Sequence, residues 1–202
     1  MNQSERRRYL IQELLNEQKE YCNYSIPKDP QGQKDLLRGL LNVRAPKILS
    51  REFLKIQDEY LKEETEKKGI TELADLTPVE QGIYLWQGDI TTLRCDAIVN
   101  AANSGMTGCY APNHKCIDNC IHTFAGAQLR YECAQMMKAQ GHEEPTGQAK
   151  ITAAWTSMST GKASTTTITS GSSSGKNLSG FNIASAESNT VTITGSVGGD
   201  VY

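Results

Sequence analysis

The chain has 202 residues, a formal net charge of −2 and a 38% share of hydrophobic residues. That length allows one ordinary domain with an appendage, and the near-neutral balance gives no reason to expect nucleic acid or an anionic membrane as a partner. Six cysteines, at 22, 95, 109, 116, 120 and 133, follow no disulfide framework, and two of them stand with a histidine at metal-ligand spacing, which fits a reducing, cytoplasmic setting.

The opening MNQSERRRYLIQELLNEQ is basic, but Gln, Glu and Asn interrupt its apolar positions, so it reads neither as a signal peptide nor as a membrane span. Over residues 5–20, Tyr9, Leu10, Ile11, Leu14 and Leu15 recur at helical spacing and predict a packing helix. Pro27, Pro30 and Gly32 are expected to break the chain. Leu36, Leu37, Leu40, Leu41 and Val43 then mark a short second helix that ends before Pro46. Ser50 is placed to cap a third helix, in which Phe53, Ile56, Tyr60 and Leu61 share a face, and Gly69 to stop it. The charged run around Lys62, Glu63, Glu64, Glu66, Lys67 and Lys68 reads as a solvated helix face. These three helices carry no chemistry of their own.

Ile83 to Gln87 predicts a strand with Tyr84 and Trp86 on one face, running into Gly88-Asp89-Ile90-Thr91. Strand exits in α/β sheets are where ligands bind, yet Gly-Asp is also ordinary turn chemistry, so Asp89 has two readings. A second strand begins at Asp96 and runs through the apolar triplet Ala97-Ile98-Val99, which a sheet buries on both faces. Asn100 and Asn103 follow, flanking two alanines. An amide presents a donor and an acceptor together, which suits the paired hydroxyls of a ribose. Satisfying loop backbone is the competing role, stronger for Asn100 than for Asn103.

The loop beyond holds Gly105, Gly108 and Pro112, which forbid continuous regular structure, together with Cys109, His114 and Cys116 in the spacing C-x4-H-x-C. Two thiolates and an imidazole suit Zn²⁺, and three protein ligands leave the fourth tetrahedral position free for water or substrate. Cys120, four residues past Cys116, is placed to close the shell instead and make the metal structural. From Ile117 the positions Ile121, Phe124, Ala125, Leu129, Cys133 and Met136 recur as on a buried helix face, divided near Gly126 and stopped by Gly141. Asp118 stands in the first turn, where a carboxylate is stabilised by the helix dipole. His122 reads as a packed or solvated residue. Gln148 to Thr152 opens a third strand. A strand, a polar loop and a helix N-terminus together suit a phosphate-bearing ligand.

Gly88-Asp89-Ile90-Thr91, followed by Asp96 to Ser104, resembles the opening of a macrodomain, the module that binds or hydrolyses ADP-ribose. Where most macrodomains have a glycine run, Gly108 to Asp118 is similar to the zinc-dependent bacterial branch, the protein-ADP-ribose hydrolases. The resemblance covers about residues 10–152. It implies a three-layer α/β fold preceded by a helical extension, with ADP-ribosylated protein and ADP-ribose as partners. It further implies that Asp89 accepts a hydrogen bond from the adenine amino group and that the Ile90 backbone lies beside the adenine or the phosphates. Asn103 would hold the distal ribose at the catalytic centre, and Cys109, His114 and Cys116 would bind one Zn²⁺. Asp118 matches an acidic position proposed as catalytic in related macrodomains, and the helix-terminus role competes with that one on equal terms.

Beyond Thr152 the pattern changes. Residues 153–202 carry only Lys162, Lys176, Glu187 and Asp200 as charges, among serine, threonine and glycine. Alternating runs such as Thr165 to Thr169 and Thr190 to Thr194 have strand propensity, but large apolar residues are sparse, which favours disorder over short β-ribbons. Ser159-Thr160-Gly161 copies the letters of a diphosphate loop but comes too soon after the third strand to be one. The expected organisation is a helical extension over 1–80, the front half of a macrodomain over 81–152 and a Ser/Thr/Gly-rich tail over 153–202, in place of the second half of the fold. A zinc-dependent hydrolase is the favoured function. The rivals are an ADP-ribose-binding module without catalysis and an inactive truncated or fused fragment.

Overall fold

The structure is a computed structural model and describes residues 1–21, 23–95, 97–153, 164–168, 182–184 and 190–192. Three helices come first: α1 (Gln3–Asn16), α2 (Pro30–Val43) and α3 (Arg51–Lys68). Each begins on a side-chain cap. Asn2 and Glu5 form a reciprocal capping box on α1, Asp29 accepts from Gly32 N on α2, and Ser50 accepts from Phe53 N on α3. α2 is longer than the apolar spacing predicts, because Pro30 opens the helix. At the first helical position its missing N–H is no loss and its fixed φ already suits the helix. Gly69 ends α3 at a φ of 88°. The three helices share one core of Leu10, Ile11, Leu14, Leu37, Phe53 and Tyr60 with their neighbours, against which Phe124 and Ala127 also pack.

The charged face of these helices does more than meet solvent. Arg6 of α1 pairs with Glu59 at 3.1 Å and Glu63 at 2.9 Å on α3, and Lys34 of α2 reaches Glu64 at 2.6 Å. Those pairs tie one helix to the next.

Next come short strands: β1 (Thr71–Glu72) pairs in parallel with β4 (Leu93–Arg94), and β2 (Pro78–Glu80) pairs antiparallel with β3 (Ile83–Tyr84). The strand expected over 83–87 therefore stops at Tyr84. Leu85 is 82% exposed, so its side chain would gain no burial from a longer strand. β5 (Val99–Ala101) leads to the loop and then to α4 (Ile117–Ala125) and α5 (Ala127–Gln140), divided at Gly126 with a φ of 87°. β6 (Ala149–Ala153) and β7 (Ser164–Ile168) follow, and β8 (Asn182–Ala184) pairs with β9 (Thr190–Thr192).

The sheet beside the site has the order β5-β7-β6, with β7 parallel to β5 and antiparallel to β6. Its middle strand comes from the stretch expected to be disordered. Thr166 pairs with both Val99 and Ile151, so an alternating threonine run with strand propensity finds two backbone ladders here. The rest of 154–202, apart from β8 and β9, lies outside the described residues. One sheet face, at Asn100 and Thr152, is buried, whereas Val99, Ala101, Ile151 and Ala153 on the other are exposed. Ile98, Ile121, Ala125, Leu129 and Cys133 form a second core between β5 and the helices α4 and α5. Among the described residues, no helix is long and apolar enough to cross a membrane.

Candidate active site and metal centre

The chain leaves β5 at Ala101 and turns through Asn103. Its side-chain oxygen accepts from Gly105 N at 3.0 Å and its amide donates to Gly108 O at 3.3 Å. Met106 is fully buried at a φ of 60°, so a non-glycine residue holds a left-handed turn by being locked into the core. Gly108 has a φ of 84°, and a Cβ there would lie 2.7 Å from the His122 ring. Only glycine fits this close approach of loop to helix.

The loop then folds back as Gly108 and Pro112 predict, and brings the ligand atoms of Cys109, His114 and Cys116 within 4.8 Å of one another. Cys109 Sγ lies 3.7 Å from His114 Nδ1. Tetrahedral Zn²⁺ with its usual bond lengths separates a sulfur and a nitrogen ligand by about 3.5 Å, so the donor set and its spacing fit that ion. Cys116 is also the N-cap of α4, its sulfur accepting from Asn119 N at 3.4 Å. Burial raises the Cys116 thiol's pKa, helped by the neighbouring Cys109 and Asp118 and opposed by the Asn119 N–H. A cation held by these ligands would reverse that balance and favour the thiolate. Cys120 stands outside the cluster, its sulfur 3.4 Å from Arg38 Nη2. Cys95, Cys109, Cys116, Cys120 and Cys133 are all free thiols.

Buried polar groups hold the loop in shape. Asn119 donates to Ala111 O at 3.0 Å, and Asn42, at the end of α2, accepts from Asn113 N at 2.9 Å. Arg130 of α5 is 5% exposed and donates to Thr107 O and Cys109 O in the loop and to Leu41 O, Asn42 O and Arg44 O beyond. Tyr110 covers the same guanidinium, its ring centroid 4.3 Å away. Helical spacing assigns Arg130 no function, because every one of these partners is far off in sequence.

Asp118 and Asn100 meet where α4 packs on β5. Asn100 is fully buried and donates to Asp118 Oδ1 at 2.7 Å, while its own side-chain oxygen is buried without a partner. Burial raises the Asp118 pKa, against the lowering effects of the Asn100 hydrogen bond and the Arg130 charge. His122 Nε2 lies 3.5 Å from the same carboxylate oxygen, and burial pulls the imidazole down to about 3. The ring is neutral at ordinary pH, so this is a polar contact and not an ion pair. Asn103 is exposed and engaged with its own loop, and Asn100 is the asparagine that touches an acid.

Asp89 caps a 3-10 turn over Ile90–Thr92. It accepts from Thr91 N at 3.0 Å, from Thr91 Oγ1 at 2.6 Å and from Lys68 Nζ at 2.9 Å. Partial burial works to raise its pKa, but the Thr91 and Lys68 hydrogen bonds outweigh it and hold the carboxyl below its ordinary value. The structure thus brings together the three metal-ligand candidates as a cluster and Asn100 with Asp118 as a buried pair. Asp89 and Ile90 sit in a separate turn.

A strand, a cysteine–histidine loop and a helix packed on a mixed sheet make this an α/β arrangement, and residues 99–168 match the Macro domain family. That match runs past Thr152 to the end of β7. The chain is 61% identical over 159 residues to the protein-ADP-ribose hydrolase of Treponema medium, covering 77% of this chain and 61% of that one. It is 46% identical over 145 residues to the protein-ADP-ribose hydrolase of Staphylococcus aureus (strain MRSA252), covering 71% and 54%. A solved macrodomain of Trypanosoma brucei is similar at a TM-score of 0.43 and 24% identity, over 66% of this chain and 57% of that one. The chain spans between half and two thirds of the length of these two curated relatives.

Proposed function

We propose that this chain is a zinc-dependent macrodomain hydrolase that releases ADP-ribose from modified protein side chains. The observation that carries the reading is the convergence of Cys109, His114 and Cys116 within 4.8 Å in a loop between β5 and α4. The two bacterial relatives are named protein-ADP-ribose hydrolases, which supports the hydrolase part of the reading. Cys109, His114 and Cys116 would hold the ion, which when bound supplies a Lewis acid that polarises an oxygen or lowers the pKa of a water. Asp89 and the Ile90 backbone receive the adenine end, Asn103 the distal ribose, and Asp118 orients the attacking water through a carboxylate that Asn100 fixes in place. Thiol ligands need a reducing compartment, which makes the cytoplasm the setting we propose.

One observation favours a second reading, recognition of ADP-ribose without cleavage. Asp118 is 5% exposed and bonded to Asn100, so the acid is packed into the core beside the loop. The two readings part in one assay. The purified, zinc-loaded chain is mixed with an ADP-ribosylated protein, with and without chelator, and released ADP-ribose is measured. We expect release that chelation abolishes. Equal release in both samples would remove the zinc from the mechanism, and ADP-ribose binding with no release would make the chain a binding module.

A further inference from the structure

Arg38 belongs to α2, in the helical extension, yet its Nη2 reaches the loop and helix that carry the metal-ligand candidates. It donates to His114 O at 2.7 Å, to Asn119 Oδ1 at 3.0 Å and to Cys120 Sγ at 3.4 Å. Asn119 passes the contact on. Its side-chain amide donates to Ala111 O at 3.0 Å and to Cys109 O at 3.5 Å, and its backbone N–H donates to Cys116 Sγ at 3.4 Å. Arg38 therefore touches His114 directly, and Cys109 and Cys116 through one intermediary. Partners of this kind orient metal ligands from outside the shell.

Cys120 is the sulfur that this arrangement keeps apart. It stands on α4 one helical turn after Cys116, and its Sγ lies 4.0 Å from the carbonyl of Lys115, the residue between His114 and Cys116. A fourth soft donor thus sits beside the triad, but it is outside the group whose ligand atoms lie within 4.8 Å of one another. Two effects hold it there. An Arg38 N–H occupies a lone pair of the sulfur, and a guanidinium carries a permanent charge, so a cation moving onto Cys120 would meet a like charge. The placement of Arg38 has a cost, because its Nε is buried without a hydrogen bond. The three Nη2 contacts, which share two N–H groups, offset it.

We propose that Arg38 is a positioning residue that keeps the metal shell open: it steadies the Cys109, His114 and Cys116 triad and holds Cys120 off the fourth position. The inference rests on the metal part of the proposed function. Three protein ligands leave a place for water or substrate, whereas a fourth closes the shell and makes the site structural. Without Arg38, Cys120 binds the ion as a thiolate, its proton passing to solvent, and the same loop becomes the closed kind. A side chain of the helical extension thereby decides which kind of site the loop forms.

The test loads the full chain with Co²⁺ in place of zinc, because thiolate-to-cobalt charge-transfer absorption grows with the number of thiolates bound. The wild type is compared with Arg38→Leu, Cys120→Ser and the double variant, each checked for folding by circular dichroism. We expect the wild type and Cys120→Ser to share one two-thiolate spectrum. Arg38→Leu should raise that band about 1.5-fold, the ratio of three thiolates to two, and the double variant should return it to the wild-type level. Arg38→Gln, which removes the charge but stays polar, should show the same rise and takes over if the leucine variant does not fold. With zinc, the metal should slow iodoacetamide labelling of Cys109 and Cys116 in the wild type and leave Cys120 unchanged, whereas in the folded Arg38 variant it should slow all three. An unchanged cobalt spectrum in the folded Arg38 variant, or a rise that the double variant keeps, overturns the proposal and leaves the metal reading standing. A wild-type spectrum that loses a thiolate in Cys120→Ser, or zinc protection of Cys120 in the wild type, shows a shell already closed and overturns it too. A wild type that takes up no cobalt removes the metal reading and this proposal with it.

Discussion

Asn100 donates its side-chain amide to the Asp118 carboxylate at 2.7 Å, and both residues are buried. One hydrogen bond thereby joins the strand that enters the site to the helix that leaves it. A hydrogen bond to a charged group contributes about 1.5–3 kcal/mol, and truncating the donor leaves the acid underpaired in a core that excludes water. Asn100→Ala is expected to lower unfolding free energy by about that amount in urea titrations at neutral pH. A loss below about 0.5 kcal/mol would show that the pair is not formed in solution.

His122 sets a pH dependence with a definite sign. Its folded-state value of about 3 lies below the ordinary 6.5, because burial penalises the charged ring. Between those values the unfolded chain binds a proton that the folded chain excludes, so stability rises with pH and is lost as pH falls below about 6.5. From pH 7 to pH 5 the wild type should lose about 2 kcal/mol more than His122→Gln, which cannot titrate there. Urea unfolding of metal-stripped protein at both pH values measures the difference. Identical losses would place the imidazole in solvent.

Arg130 ties the cysteine–histidine loop to the end of α2. Its guanidinium donates to five backbone carbonyls shared between the loop and the end of α2. Arg130→Met keeps much of the packing and removes every donor, which should destabilise the protein by about 3 kcal/mol and loosen the loop. Zinc content after dialysis should fall well below one equivalent per chain, as it should for Cys116→Ser. Full zinc in the Arg130 variant would show that the three ligands shape the loop by themselves.

What could be read from residues alone depended on how far apart the partners stand. Cys109, His114 and Cys116 lie within eight positions, so one loop carries the whole donor set and its composition shows it. Gly126 and Gly141 were equally legible, since a glycine between two helical patterns needs no distant contact to act as a stop. Arg130 was not legible, because its carbonyl partners on α2 and just beyond it lie 86 to 89 positions away. The roles of the two asparagines are not legible from the sequence: Asn100 faces α4 and meets an acid, whereas Asn103 bonds its own loop. Strand alternation decides that, and a three-residue strand is too short to display it. Pro30 alone signals a break, and only the Asp29 cap makes it a helix start.

Asp89 offers a comparison between turn and ligand. Its carboxylate already takes three hydrogen bonds, two from Thr91 and one from Lys68, yet an ionised carboxylate has about four acceptor positions and keeps room for one more donor. Under the proposed function, Asp89→Ala should weaken ADP-ribose binding by about ten- to a hundredfold without displacing zinc. Calorimetry at fixed zinc content decides it. Unchanged affinity would leave Asp89 as the cap of its 3-10 turn alone.

The last prediction concerns β7, which lies between β5 and β6 and joins them through its backbone. Thr166 pairs with Val99 on one side and Ile151 on the other, so its position is central and not at an edge. Proline in the middle of a sheet removes a ladder donor and is confined in folded proteins to edge strands and bulges. Because β5 carries Asn100 and leads into the cysteine–histidine loop, the damage should reach the site. Thr166→Pro is expected to lower hydrogen-exchange protection of residues 99–101 and 149–153 and to reduce zinc retention. Thr166→Val keeps the N–H and raises strand propensity, and it should leave both intact. Protection that is unchanged by the proline would mean that β5 and β6 hold together without β7, and the sheet order β5-β7-β6 would then be wrong.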